Sequence, residues 1–281
     1  MDKPPATDRR EAPRCAFLTA VILILAAAYL IRGRFDSRFS QFLLIAPAIL
    51  LFFSQIRYTR IIEGRPLLRL LPYSAAVWAF TWAIEAAGIW SGLYHYEEVV
   101  LNAFRLGPVP LLIPTVWMLF CWLAESITEF LFGIDRGLRW SGLRRSLASA
   151  WILVSIAFTL EWHFSRFIGL WSWAEASDGL RLDGIPLINF LIWFAVGLAA
   201  PLLADLTRAP IIRYRTDNGF LRALPAIGFG LTLAINAVLN FARGFTAAGT
   251  LVLVSLFVLG GASVSPRNGP WPAASRPQRD I

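Results

Sequence analysis

Two glutamates lie inside apolar stretches of the chain, and each begins the same series of residues. Glu85 is followed by Gly-Leu, two aromatic residues spaced by one position, a polar loop, a branched residue with Pro, and a Trp. The same features follow Glu161 in the same order, with gaps that differ by at most one residue. The repetition of 85–117 in 161–193 predicts an internal duplication.

The residue types in these segments suit acid-catalysed chemistry on a carbon–carbon double bond. A carboxyl group in an apolar setting resists ionisation, so it can keep its proton near neutral pH and act as a general acid. Protonation of a trisubstituted alkene gives a tertiary carbocation, which the π faces of Trp and Tyr attract without readily capturing it. A second carboxylate or an Asn can then orient water for addition, or a base can remove a proton to close a ring. Such chemistry needs no metal, nucleotide or flavin, so we expect no cofactor.

The candidate catalytic residues are Glu85, Glu161, His163 and Asn189. His163 is included because it neighbours Glu161 in the sequence and could tune or relay its proton. The candidate substrate-binding residues are aromatic side chains of the two segments and two amides near the C-terminus: Tyr94, Tyr96, Trp117, Trp171, Trp173, Trp193, Asn236 and Asn240. Structural roles stay open for some of them, because a membrane Asn often joins helices and single aromatic residues often lie at a membrane interface.

The composition points to a lipid bilayer as the solvent. Hydrophobic residues make up 57% of the 281-residue chain and charged residues only 16%, whereas a soluble domain is nearer half apolar and a quarter charged. The mean hydropathy is +0.59. Two Cys and two His argue against a disulfide framework and a metal site. The net charge of +8 comes from Arg in short loops, which fits membrane orientation better than binding to nucleic acid.

The apolar runs predict an all-α, polytopic transmembrane helix bundle of about eight spans. We expect one transmembrane domain over residues 15–264, flanked by disordered cytoplasmic tails at 1–14 and 265–281. The predicted spans cover approximately 15–31, 39–56, 70–90, 109–133, 147–168, 185–206, 221–241 and 245–263. We also expect Pro110 and Pro186 in the first turns of two helices, and no strand pattern.

The positions of Lys and Arg predict the orientation of these spans. With the N-terminus inside, 19 of the 26 basic residues fall in inner segments and 7 in outer loops. This excess predicts an integral protein of the cytoplasmic (inner) membrane with both termini in the cytoplasm. Both repeated segments then carry their polar loops on the outer side.

The two segments resemble a known family. Gly92-Leu93-Tyr94-His95-Tyr96 with Val109-Pro110-Leu111 is similar to the first half of the carotenoid biosynthesis membrane proteins, a group that includes carotenoid 1,2-hydratases and bisanhydrobacterioruberin hydratase. Gly169-Leu170-Trp171-Ser172-Trp173 with Gly184-Ile185-Pro186-Leu187-x-Asn189-Phe190 is similar to the second half. The resemblance implies a helical membrane enzyme that adds water to the terminal double bond of an acyclic carotenoid, lycopene-like or C50, taken from the lipid phase.

One departure from the family pattern keeps the reaction itself open. The family tends to carry an Asp and an Asp-Pro pair before the second aromatic string, where this chain reads Glu161-Trp162-His163. Hydration with Glu161 or Glu85 as the acid is the leading hypothesis. A cyclase or isomerase of the same end group is an alternative. Among non-enzymatic functions, a transporter, a lipid-binding protein and a scaffold for carotenoid enzymes also fit the sequence.

Overall fold

The computed structural model describes residues 71–98, 104–132, 141–174, 179–207 and 219–264. The first two predicted spans, 15–31 and 39–56, and both predicted tails lie outside the described residues. The described part is mostly helical, which confirms the helical class. Its six α-helices are α1 (Leu71–Trp90), α2 (Leu112–Phe132), α3 (Ser141–Trp162), α4 (Leu187–Leu206), α5 (Gly219–Ala242) and α6 (Thr246–Val264).

The six helices coincide with the six apolar runs predicted for these residues. They contain 19 to 24 residues, so each is about 30 Å long, close to the thickness of the hydrocarbon core of a bilayer. Two helical segments, Gly142–Arg166 and Leu187–Leu206, are both long and apolar enough to cross a membrane. This result favours membrane association and leaves the count of eight spans a prediction.

Helix α3 lies at the centre of the described bundle and packs against α2, α4, α5 and α6. It crosses α4 at a tight contact, where a Cβ added to Gly197 would lie only 2.3 Å from Cα of Ala150. A glycine is therefore required at this crossing. At its C-terminal end α3 continues into a π-helical turn, His163–Ile168, and such turns are frequent at functional sites.

Three short two-stranded ribbons join the helices at one end of the bundle. Strand β1 (Tyr94–Tyr96) pairs antiparallel with β4 (Trp171–Trp173), so the two repeated segments are directly hydrogen-bonded to each other. Two hairpins follow, one in each segment: β2 (Arg105–Leu106) with β3 (Val109–Pro110), and β5 (Arg181–Leu182) with β6 (Ile185–Pro186). The expectation that the chain has no strand pattern is therefore wrong.

The prolines of the two segments occupy strands instead of helical turns. Pro110 ends β3, and α2 begins two residues later. Pro186 ends β6 and has an extended ψ of 134° at the N-cap of α4. Both lie just before a helix, where a missing amide donor is harmless. The prediction that they lie in the first helical turns is wrong by one or two residues.

Glycines at equivalent positions let the chain turn from each glutamate helix into the central ribbon. Gly92 has φ = 73° and Gly169 has φ = 63°, values in the left-handed region that side chains with a Cβ rarely adopt. Each lies two residues before its strand. The same local solution is thus used twice, once in each repeated segment.

Candidate functional site

Glu85 lies near the C-terminal end of α1, is only 7% exposed, and accepts hydrogen bonds at both carboxyl oxygens. Nε1–H of Trp117 donates to Oε1 at 2.6 Å. The hydroxyl of Tyr96 donates to Oε2 at 2.6 Å, and the hydroxyl of Tyr94 donates to the same oxygen. Three donors from the same repeated segment therefore surround this carboxyl group and favour its ionised form.

The two tyrosines are suited to this role because their phenols stay protonated. Burial, followed by the charge of Glu85, raises the pKa of Tyr94 and of Tyr96 above the usual value for a phenol. A protonated phenol is a donor, and an ionised carboxylate only accepts hydrogen bonds. The direction of both hydrogen bonds is therefore fixed, from tyrosine to Glu85.

Glu161 lies at the C-terminal end of α3 and is only 3% exposed. Nε1–H of Trp193 donates to its Oε1 at 2.8 Å. Its Oε2 is buried without a hydrogen-bond partner among the described residues. The side chains of Asn189 and Trp171 face this carboxyl group, but their Nδ2 and Nε1 atoms make no hydrogen bond of good geometry within the described chain. The hydrogen-bonding groups in and around the Glu161 carboxyl are therefore only partly paired among the described residues.

The two glutamates are linked through the tryptophans that hold them. In both segments the indole donor lies 32 residues after the glutamate. The rings of Trp117 and Trp193 contact each other, with centroids 4.0 Å apart and an angle of 39° between their planes. The second turns of α2 and α4, which carry these tryptophans, thus bring the two carboxyl groups into one site.

The β1–β4 ribbon forms an aromatic wall over the two carboxyl groups. The rings of Tyr94 and Trp173 are in edge contact, with centroids 5.1 Å apart. The rings of Tyr96 and Trp171 are also in edge contact, with centroids 6.1 Å apart. Because successive residues of a strand point to opposite sides, the residues between them face outward. There Ser172 Oγ lies 2.9 Å from Nε2 of an exposed His95.

The two segments together enclose one partly open cavity. The empty space between its walls, counted together with the open mouth, is about 850 Å³. Both carboxyl groups and Asn189 line it, together with six aromatic side chains of the repeated segments: Tyr94, Tyr96, Trp117, Trp171, Trp173 and Trp193. The rest of the lining is apolar: Ile84, Leu112, Ile113, Val116, Phe120, Leu160, Phe164, Leu170 and Ile192.

Comparison with known families shows which family the chain belongs to. A family model described as "Carotenoid biosynthesis protein" matches residues 39–259, most of the chain. The chain belongs to this family. No curated protein and no solved structure gives a significant match to the sequence. Membership confirms the predicted resemblance and indicates a role in carotenoid biosynthesis with a carotenoid-related substrate.

Three candidate residues of this carotenoid biosynthesis protein lie outside the cavity lining. His163 is buried, and its Nδ1 lies 3.1 Å from Nη1 of Arg243. Residues two apart on a helix do not face each other, which explains why it points away from the carboxyl of Glu161. Asn236 donates to the backbone oxygen of Thr232 in its own helix, and Asn240 donates to that of Phe158 on α3. In the structure these two amides bond the backbone of helices. They do not line the cavity in which we expected them.

Sequence reasoning missed two aromatic side chains of the cavity, Phe120 and Phe164. Phe120 lies one turn after Trp117, and its ring centroid is 6.1 Å from that of Trp193. The spacing of three residues was a signal for a shared helix face. Phe164 lies in the π-helical turn, whose altered phase directs its ring towards Trp171 at 5.8 Å. No comparable signal in the sequence announces this turn.

The described residues offer no evident metal centre. They contain no group of three or more His, Cys, Asp and Glu side chains placed to hold a metal ion. The charged cluster at the other end of α3 is an ion-pair network, in which Arg145 bonds Glu125 at 2.5 and 2.8 Å and Asp205 at 2.9 Å. The cavity itself offers two carboxyl groups, one amide and aromatic faces, a set suited to proton transfer and to holding a cation.

Proposed function

We propose that this protein is a membrane-embedded hydratase that adds water to the terminal double bond of an acyclic C40 or C50 carotenoid. The observation that carries the proposal is the unequal hydrogen bonding of two buried carboxyl groups in one aromatic cavity. Glu85 accepts from three donors, whereas Oε2 of Glu161 has no partner among the described residues. In this proposal Glu85 is the carboxylate, because its three donors favour the charged form against the cost of burial, and Glu161 is the acid, because one of its oxygens is left to carry and deliver a proton.

In the proposed reaction Glu161 protonates the less substituted carbon of the terminal double bond. Its O–H bond breaks and a C–H bond forms with the π electrons, which leaves a tertiary carbocation and a Glu161 carboxylate. The oxygen of a water molecule then forms a C–O bond to the cation. That water loses one proton to the Glu161 carboxylate, so the acid is regenerated and the net change is addition of one water.

The walls of the cavity are suited to stabilise the cation between these steps. Indole and phenol faces attract a cation by about 0.5 kcal/mol at exposed sites, and by about 2 kcal/mol or more where it is desolvated. The fixed negative charge of Glu85 adds attraction in a setting of low dielectric constant. Its oxygens already accept three hydrogen bonds, which makes Glu85 a poor base and favours capture by water over loss of a proton.

The proposed setting is the bacterial cytoplasmic membrane, with eight spans, a duplicated core and both termini in the cytoplasm. The distribution of Arg and the two helices long enough to cross a membrane support it. The shared geometry of the two segments, Glu85 to Trp117 and Glu161 to Trp193, supports the duplication. A long apolar substrate would then enter the mouth of the cavity from the lipid.

Expression in lycopene-producing cells tests the proposal. We expect products heavier by one water with the wild-type protein, and unchanged lycopene with Glu161→Gln at the same membrane level. A product of unchanged mass but altered spectrum would indicate cyclisation or isomerisation instead. Unchanged lycopene beside good membrane expression of the wild type would contradict a hydratase for this substrate and leave transport or scaffolding to be tested.

A further inference from the structure

Polar atoms without partners are concentrated at one corner of the cavity. They are Oε2 of Glu161 with Nδ2 of Asn189 and Nε1 of Trp171, whose side chains face the Glu161 carboxyl; Nε1 of Trp173, on the same strand as Trp171, is also buried without a hydrogen bond among the described residues. All four side chains line the cavity. Buried polar groups are nearly always paired in folded proteins, so a concentration of unpaired ones beside a cavity points to a ligand that pairs with them.

The equivalent corner of the first segment differs in this property. There the phenols of Tyr94 and Tyr96 bond the carboxyl of Glu85 directly, whereas indoles stand at the same places in the second segment. The residue three positions after the proline is Ile113 in the first segment and Asn189 in the second. The carboxyl group of the first corner is therefore fully hydrogen-bonded. The second corner contains N–H donors and a carboxyl oxygen that have no partner among the described residues.

The composition of the unsaturated corner defines its ligand. It offers the N–H donors of Asn189 and Trp171 beside one carboxyl oxygen, and that set matches an alcohol oxygen, which has two lone pairs and one hydrogen. The hydroxyl can accept from the Asn189 amide and an indole N–H while donating to Glu161. A hydrocarbon end group can satisfy none of these atoms.

We propose that this corner is an oxygen-binding subsite that holds the tertiary hydroxyl of a hydrated terpenoid end group. The chemical class of the ligand rests on the proposed hydratase function, but the binding itself does not require turnover. Before addition, the same atoms hold the water that becomes this hydroxyl. A consequence is that the hydrated carotenoid competes with the unhydrated one for the cavity.

A binding measurement with two small probes tests the subsite on the purified full-length protein in detergent. The probes are a ten-carbon acyclic terpene with one terminal trisubstituted double bond, and the tertiary alcohol formed by hydrating it. Quenching of tryptophan fluorescence gives the affinity for each, and the ratio of the two affinities is compared between variants. Comparing ratios cancels the different partition of the probes into detergent.

We expect Asn189→Leu to lower the alcohol-to-hydrocarbon affinity ratio about tenfold relative to wild type, equivalent to about 1.4 kcal/mol. Trp171→Phe, which keeps an aromatic ring but removes the N–H donor, should lower the ratio in the same direction by a smaller factor. Asn236→Leu is the matched control, because this buried amide lies outside the cavity, and its ratio should equal that of wild type. Retained hydrocarbon binding in each variant verifies that it is folded.

The two proposals fail in distinguishable ways. A ratio that is the same in wild type, Asn189→Leu and Trp171→Phe would overturn the subsite, even if the protein hydrates its substrate. A ratio that falls as expected, in a protein that makes no hydrated product from any acyclic carotenoid, would support the subsite and contradict the hydratase.

Discussion

The two glutamates differ in what surrounds them more than in how deeply they are buried. Glu85 and Glu161 are 7% and 3% exposed, and a tryptophan 32 residues further along bonds each of them. The difference comes from the aromatic pair of each segment. Phenols complete the hydrogen bonding of Glu85, whereas the indoles opposite Glu161 leave one of its oxygens unpaired among the described residues. The difference between two tyrosines and two tryptophans at equivalent positions thus gives the two glutamates different hydrogen bonding.

Replacement of the proposed acid is the first test at this scale. Glu161→Gln keeps the volume of the side chain and an oxygen that can accept from Trp193, but it has no proton to donate. We expect kcat to fall about a hundredfold or more, the contribution of a general acid, with little change in thermal stability. Glu98→Gln replaces an exposed carboxylate two residues after β1, and it should leave kcat unchanged. A Glu161→Gln protein with wild-type turnover would exclude this residue as the acid.

The phenol clamp on Glu85, formed by Tyr94 and Tyr96, leads to a prediction about stability. Tyr96→Phe removes a donor to a buried carboxylate, so we expect a loss of about 1.5–3 kcal/mol in the free energy of unfolding. Tyr73→Phe is the control, because the buried hydroxyl of Tyr73 has no hydrogen-bond partner among the described residues. Because removing this hydroxyl leaves no partner unpaired, the free energy of unfolding should stay the same or rise. Equal melting temperatures for the two variants would show that the clamp does not stabilise the fold.

At the scale of elements, each repeated segment works as a unit. A helix presents a glutamate, a strand supplies the aromatic pair, a hairpin returns the chain, and the next helix places a tryptophan against the glutamate. Pairing of β1 with β4 brings the two units together. The cavity therefore lies between two segments of similar arrangement, with the glutamate of each segment facing the aromatic wall made by both.

A small residue in α1 allows the first unit to close. A Cβ added to Gly88 would lie 2.6 Å from Cε1 of Tyr94 and 2.9 Å from its hydroxyl oxygen. Gly88→Ala should therefore displace this phenol from Glu85, lowering both the melting temperature and turnover. Gly230→Ala, in a helix with nothing within 4 Å of the added methyl, should stabilise by about 0.5–1 kcal/mol. A Gly88→Ala protein as stable and active as wild type would contradict the close packing of Tyr94.

Much of this arrangement could be predicted from the sequence, and the rest fails for identifiable reasons. The positions of the helices followed from the apolar runs, and the pairing of Glu85 and Glu161 with an aromatic site followed from the repetition. The strands could not be predicted, although the alternation in Tyr94-His95-Tyr96 has the period of a strand, because two or three residues are too few for an alternating pattern to stand out.

Residue placement was predicted least well where it depends on helix phase. His163 was associated with Glu161 by closeness in the sequence, but a separation of two residues places them on different faces. Asn236 and Asn240 share a helix face as predicted, yet sequence cannot say which neighbour that face meets. It meets the backbone of α3 at Phe158.

At the scale of the whole molecule, the polar groups are separated along the helices. The carboxyl cavity lies at the end of α3 and the Arg145 network near its start, 16 residues apart in the sequence and so about 24 Å along the axis. In the proposed orientation the cavity lies towards the outer side of the membrane and the Arg145 network towards the cytoplasm. Such a distribution agrees with the excess of Arg predicted for inner segments.

Cysteine labelling in intact cells tests this orientation. In a background with Cys15 and Cys121 replaced by Ala, we expect Glu98→Cys to react with a membrane-impermeant maleimide from outside. Gly142→Cys, at an exposed position near the opposite end of the bundle, should react only after the membrane is permeabilised. Labelling of Gly142→Cys in intact cells, with Glu98→Cys protected, would show that the orientation is inverted.

The proposed addition of water to a carotenoid double bond is tested most directly by following the oxygen atom. Purified protein is incubated with an acyclic carotenoid in water labelled with heavy oxygen, and the product is analysed by mass spectrometry. We predict a tertiary alcohol that carries one heavy oxygen, formed by the wild type and absent with Glu161→Gln. A product of unchanged mass, or an alcohol without the label, would contradict hydration as the reaction of this site.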